Sequence, residues 1–271
     1  PEERQVYDMN ELTNNEGKNE IIEVDGVKYQ RLAIRTHVIT DKDDVCDVIE
    51  KYAKPYAKPD DIVFMTEKAV ACTQRRAIPM KDIHPRPLAK FLCKFVLKTP
   101  YGIGLGIPET MEMALQECGT PRILFAAAVS AVGKLFHKRG WFYKIAGYKA
   151  RSIDGPCDYT LPPYNHYVVL GPAEPDETAQ KMSQRLGGIK VAITDINDLE
   201  GQILIMHLPA FRQSLFLPVS AAGLRSEISG VCLFPCGMAM IRFPDGLRVR
   251  AHQILLVPAF QLFSSAAVQQ L

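Results

Sequence analysis

Two short apolar runs, DIVFM at 61–65 and KVAI at 190–193, each stop abruptly at polar residues, TEK in the first case and TDIND in the second. Runs of this length read as buried strands, and the proline-led amphipathic stretches between them read as helices. Strands alternating with helices favour a mixed sheet with packed helices over an all-helical bundle. The fold class expected is therefore α+β. The TDIND ending leaves two readings open. Asp195, Asn197 and Asp198 are turn formers that bond their own backbone, or they are oxygen ligands gathered at a strand end.

Other elements follow from local signals. EIIEV and VKYQRLAI flank Asp25-Gly26, a pair that suits the turn of a hairpin. Thr40 with Asp43 is expected to open a helix carrying Val45, Val48, Ile49 and Tyr52 on one face. A second helix is expected over 87–98, with Leu88, Phe91, Leu92, Phe95 and Val96 on its core stripe. A third follows Pro108 and stops at Gly119. ILFAAAVSAVG at 123–133 is too short to span a bilayer and reads as a buried helix. WFYKIAGYKA reads as strand-like, VVLG as a strand, and Pro175 opens a further helix.

Residues 1–20 are polar and without period, and read as a flexible leader. Residues 21–204 read as the folded domain. All seventeen lysines fall before residue 205, and the last 67 residues hold only two acids, Glu227 and Asp245. Residues 205–271 therefore read either as a hydrophobic subdomain or oligomer arm, or as a stretch that is not the natural continuation, such as a shifted reading frame. The net charge of +2, with basic residues scattered along the chain, gives no case for nucleic acid. Seven cysteines without a CxxC pair fit core thiols in a reducing cytoplasm. No membrane partner is expected.

Three segments carry candidate chemistry. In YGIGLGIPETM, Gly102, Gly104 and Gly106 precede a helix start, which suits a phosphate contact or close backbone packing. In VFMTEKAVAC, Glu67 and Lys68 follow a strand, where α/β sheets meet ligands, or they form a solvated helix start. In IDGPCDYTLPPYNHY, Asp154 and Asp158 could offer oxygens to Mg²⁺ or Mn²⁺, and a surface turn would use the same residue types. His166 reads as a structural histidine, and Cys157 has no identifiable base beside it. No catalytic residue is assigned.

The segments DIVFMTEKAVAC, DGPCD, LGPAEPDETAQKM and VAITDIND, in this order and spacing, resemble the coenzyme F420-0:L-glutamate ligase family over roughly residues 30–204. A shorter branch marked by GIGLGxPETM, DGPxxYTLPPYNHY and DINDL is the nearest resemblance. It implies a GTP-dependent ligase that adds L-glutamate to a phospholactyl-type acceptor through an acyl phosphate. It also implies Mg²⁺ or Mn²⁺ as cofactor and a homodimer acting on small molecules. The metal aspartates fall on Asp158 and Asp195, with Asn197 or Asp198 completing the shell. Nucleotide contacts fall on Thr36 to Ile39, Glu67 and Lys68, and the glycines Gly102 and Gly104, from their place before a helix start, would add a phosphate contact. The sequence departs from the pattern at Cys72 in place of a lysine, at Ile196 in place of a hydroxyl residue, and at Leu161 in place of an asparagine, with Asn165 nearest. The family's second half has no counterpart after Leu204. These departures set the alternative, a relative that keeps the fold and is non-catalytic or differently specific in binding metal or nucleotide.

Overall fold

The computed structural model describes residues 21–24, 27–96, 103–136, 140–158, 160–196, 201–207, 217–219 and 238–242. The leader at 1–20 lies outside these residues, as do Asp25, Gly26, Gly102, Asn197, Asp198 and most of the 205–271 segment. The fold is α+β. The chain divides into two compact units, one of residues 1–73 with 174–271 and the other of residues 74–173.

The first unit is built on a seven-stranded mixed sheet. Its strands are β1 (Ile21–Val24), β2 (Val27–Ile34), β3 (Ile62–Thr66), β6 (Lys190–Ile196), β7 (Gly201–His207), β8 (Leu217–Val219) and β9 (Met238–Arg242). Their order is β1-β2-β9-β3-β6-β7-β8. β3 and β6 pair in parallel, and every other neighbouring pair is antiparallel. Because β9 runs opposite to both β2 and β3, those two strands share a direction with β6. Both apolar runs lie centrally, which is why they read as continuous rather than alternating. Val63, Met65, Val191 and Ile193 are wholly buried.

Helices α1 (Val45–Tyr52) and α8 (Pro175–Arg185) belong to this unit, and Arg185 ties them by ion pairs to Asp47 and to Glu50, the latter at 3.0 Å. The start of α1 differs from the expected Thr40–Asp43 signal. Asp44 is the cap, accepting from the amides of Cys46 and Asp47. Asp43 instead accepts from the Thr40 amide at 2.7 Å and closes the preceding turn. Two adjacent aspartates offered the same capping chemistry, and the one nearer the helix took it. At the far edge of the core, Arg242 of β9 meets the buried Asp61 at 3.0 Å.

The second unit packs α3 (Pro87–Leu92), α4 (Pro108–Glu117), α5 (Thr120–Leu135), α6 (Trp141–Ala146) and α7 (Tyr148–Arg151) with a two-stranded sheet, β4 (Ala77–Pro79) and β5 (Tyr167–Val169). Leu105, Met111, Leu115, Ile123, Ile153 and Val168 lie in its core. Three expectations are corrected. WFYKIAGYKA is two short helices separated by Gly147 at φ 88°, not a strand. The 87–98 helix stops at Leu92 and tightens into a 3-10 turn over Cys93–Phe95, so that Phe91 and Phe95 leave the core stripe. The apolar run at 123–133 is helical but buried on one face only: Ile123 and Ala126 are buried, whereas Leu124, Phe125 and Val132 are exposed. Periodicity cannot separate a buried face from an exposed apolar one, since both are apolar.

Candidate functional site at the strand ends

The register of the sheet places three chain turns side by side. Ile34 and Met65 both pair with Met238, and Met65 also pairs with Ile193. The carboxyl ends of β2, β3 and β6 therefore stand in one row. With neighbouring strands about 5 Å apart, the β3 and β6 ends are adjacent and the β2 end lies about 10 Å from that of β3. The segments that leave this row are 35–39 after β2, Thr66-Glu67-Lys68 after β3, and Thr194-Asp195 on β6. Thr36, Glu67, Lys68 and Asp195 thus lie at or just beyond one end of one sheet, though 159 residue positions separate the first from the last, and Ile39 follows farther along the segment that leaves β2. Such ends are where open α/β sheets hold ligands.

The side chains there are not equivalent. Glu67 and Lys68 open helix α2 (Glu67–Thr73) and are both buried, with Lys68 Nζ 2.6 Å from Glu67 Oε1. The expected solvated helix start is therefore corrected to a buried ion pair. An ammonium already beside a carboxylate can meet a phosphate only as a shared cation. Thr194 is buried and its hydroxyl is directed at the Met65 carbonyl, 3.5 Å away. Asp195 is half-buried and pairs in register with Gln202 at the start of β7. Strand alternation sends its side chain to the face opposite that of Thr194.

In the 35–39 segment, Thr36 donates from its hydroxyl to the His37 carbonyl at 2.9 Å. The imidazole of His37 is held between the Tyr52 hydroxyl, 2.8 Å from Nδ1, and Asp43 Oδ1, 2.9 Å from Nε2. Burial raises the Asp43 carboxyl, but hydrogen bonds from the Thr40 amide, from His37 and from the Thr40 hydroxyl outweigh it and hold the group below the ordinary value. Ile39 buries its side chain in the core, so the nucleotide assignment there falls to the main chain.

The other candidates belong to the second unit. Gly104 adopts φ 49° in a tight turn closed by the Gly106 amide on the Ile103 carbonyl at 2.9 Å. The Leu105 amide bonds the Tyr143 hydroxyl, whose pKa burial pushes up against that bond. Two amides of the glycine-rich segment are thus engaged inside the unit, and close packing accounts for the glycines where they are described. A Cβ on Gly155 would lie 3.1 Å from Ile103 Cβ and 3.3 Å from Thr110 Cγ2, so the DGPCD loop lies directly against this segment. Asp154 exchanges backbone bonds with Val169 at 2.9 and 3.0 Å, and Asp158 is exposed. The Asn165 side chain lies 3.3 Å from His166 Nε2, and its Oδ1 is a buried oxygen without a hydrogen-bond partner among the described residues.

Among the described residues, no three His, Cys, Asp or Glu side chains converge to hold a metal by themselves. The donor chemistry at Asp195 nevertheless fits a hard divalent cation of the Mg²⁺ kind. Such an ion takes one or two carboxylates and completes its shell with water and substrate phosphates. Cys72, where the related pattern has a lysine, is buried and offers no cation. Sequence reasoning passed over Gln202, whose place beside Asp195 comes from strand pairing and has no local signal.

Residues 33–206 match the family described as F420-0:Gamma-glutamyl ligase. Comparison with curated proteins gives no match.

Proposed function

Since the chain belongs to the F420-0:gamma-glutamyl ligase family, we propose that it ligates L-glutamate to a phospholactyl-type acceptor, coenzyme F420-0, with GTP as phosphoryl donor. Glutamate ligation is the part that comes with the family. The observation that carries the rest is the single row formed by the carboxyl ends of β2, β3 and β6, which gives a triphosphate one surface on which to lie.

In this reading an acceptor carboxylate oxygen attacks the γ-phosphorus, the bridging P–O bond breaks, and GDP leaves with the electron pair. The glutamate amine then attacks the acyl carbon of the acyl phosphate, phosphate departs, and the amine loses a proton as the amide forms. Such chemistry depends on positioning and on charge stabilisation. The main chain of 36–39 lines the nucleotide side, and Lys68 offers an ammonium that Glu67 already shares. Asp195 would hold Mg²⁺ or Mn²⁺, which supplies charge neutralisation on the phosphates. Asp158, Asn197, Asp198 and Asn165 keep their metal or nucleotide roles on the resemblance alone, and Gly102 and Gly104 keep a phosphate role only on their place before a helix start. The homodimer also rests on the resemblance, while a cytoplasmic location rests on the cysteine pattern. No described helix is long and apolar enough to cross a membrane.

The test is calorimetric titration of GTP with Mn²⁺ into the parent chain and Asp195→Asn, followed by mass spectrometry of coenzyme F420-0 after incubation with glutamate. Nucleotide binding that the variant weakens at least about tenfold, with a product heavier by one glutamate, supports the proposal. A parent chain that binds no nucleotide refutes it. The buried Cys72 and the neutralised Lys68 favour the second reading, a relative with altered specificity. Binding without glutamate transfer would select that reading.

A further inference from the structure

Helix α5 departs from the ordinary relation between apolarity and burial. Leu124, Phe125, Ala128, Ala131 and Val132 are all exposed, as is Phe136 just beyond its end. At about 100° per residue they fall within one arc of the helix, with the buried Ile123 and Ala126 on the other side. Next to the carboxyl end of α5 lies the turn that follows α3, held by Lys134 Nζ on the Phe95 carbonyl at 3.1 Å. There Lys90, Phe91, Lys94 and Phe95 are all exposed, so that two lysines and two phenylalanines recur at helical spacing. The Phe91 and Phe95 rings meet edge to face at 5.0 Å.

Four phenylalanines exposed by 56–69% present on the order of 500 Å² of apolar surface. That reaches the size at which patches on soluble chains mark an interaction site. The unit that carries them differs in charge from the whole chain. Residues 74–173 contain fourteen Lys and Arg against six Asp and Glu, a formal net charge of +8, whereas the whole chain carries +2.

We propose that this face of the second unit docks on an anionic lipid bilayer. The rings of Phe91, Phe95, Phe125 and Phe136 enter the boundary between headgroups and acyl chains, and Lys90 and Lys94 meet the headgroups. Exposed aromatic and aliphatic side chains alternating with lysine are what an interfacial, non-spanning contact requires. A second copy of this chain fits less well, because pairing the face with itself would bring two units of +8 together. Nucleic acid fits less well because Leu124 and Val132 offer no surface on which a base stacks.

The experiment is flotation of the full chain with vesicles of equal parts phosphatidylglycerol and phosphatidylcholine, against phosphatidylcholine alone, at physiological salt. The chain is expected to float with the anionic vesicles and to stay behind with the neutral ones. Lys90→Gln with Lys94→Gln is expected to lower partitioning about twentyfold, each lysine near an anionic surface contributing about fivefold. Phe91→Ser with Phe95→Ser is expected to lower it by at least about tenfold. Because all four side chains are exposed, the melting temperature of both variants stays that of the parent. Failure to float with anionic vesicles overturns the proposal, as does equal flotation with neutral ones or unchanged partitioning in both variants. A dimer that the phenylalanine pair dissolves, in a chain that does not float, assigns the face to a second copy. Displacement from anionic vesicles by single-stranded RNA at equal phosphate concentration assigns it to nucleic acid. Nucleotide binding at the strand ends is measured separately, so the two readings fail independently.

Discussion

Replacing Arg242 with methionine tests the placement of β9 in the middle of the sheet. Asp61 is 1% exposed and accepts from the Lys58 amide at 2.8 Å and from Arg242 Nη2 at 3.0 Å. The same guanidinium nitrogen donates to the Tyr56 carbonyl at 2.7 Å. Methionine keeps the apolar stem but leaves a buried carboxylate with one amide donor. Breaking such a pair from one side costs about 3–5 kcal/mol. The guanidinium side chain is 20% exposed and the Lys58 amide remains, so the lower end applies, about 3 kcal/mol, or a melting point lower by about 6 °C. Urea denaturation of the parent, Arg242→Met, Asp61→Asn and the double variant measures both the loss and the coupling. The double variant is expected to recover at least about 1 kcal/mol relative to the sum of the singles. A loss under about 1 kcal/mol, or additive singles, would mean that Arg242 does not face Asp61 and that β9 does not lie between β2 and β3.

The remaining predictions address the two units separately. Glu112 is buried, which raises its carboxyl, but hydrogen bonds from Gln116, the Arg86 amide and the Arg86 side chain outweigh burial and lower it. Its contribution is therefore complete above about pH 4.3 and is lost as pH falls through the lower folded value. Glu112→Gln is expected to cost about 1–3 kcal/mol at pH 7 and to flatten the acid limb of a stability profile; an unchanged acid limb counts against the assignment. A Cβ on Gly171 would lie 2.6 Å from Ser152 Cβ, so Gly171→Ala should destabilise by about 1–3 kcal/mol in a thermal melt. Phe125→Ser should change stability by no more than about 0.5 kcal/mol, against about 3–5 for a buried phenylalanine. A large loss would mean that the Phe125 face of α5 is covered.

DIVFM and KVAI were legible as strands because a strand buried on both faces has no polar positions to alternate with. Pro87, Pro108 and Pro175 were legible as helix starts because each occupies the first turn, where a missing amide costs nothing. WFYKIAGYKA was misread because its aromatic content imitates a strand, while Gly140 and Gly147, at φ 83° and 88°, set the ends of a helix. The candidate site was legible only in pieces. Thr36, Lys68 and Asp195 were each singled out, but nothing in the chain between them states that their strands end in one row.

The sequence by itself determined which segments are apolar, where the proline-led helices begin, the family the chain belongs to, and the oxygen-rich ending of β6. These are properties of neighbouring residues, and local sterics and hydrogen bonding fix them. Tertiary structure decided that Ile34, Met65 and Ile193 share a row, that β9 stands between β2 and β3, and that Lys68 is neutralised by Glu67. It also decided which apolar helix face is covered. Pairing and burial are relations between residues far apart in the chain, so no window of sequence contains them. The TDIND ending shows the division: the sequence supplied Asp195, and the sheet supplied its neighbours.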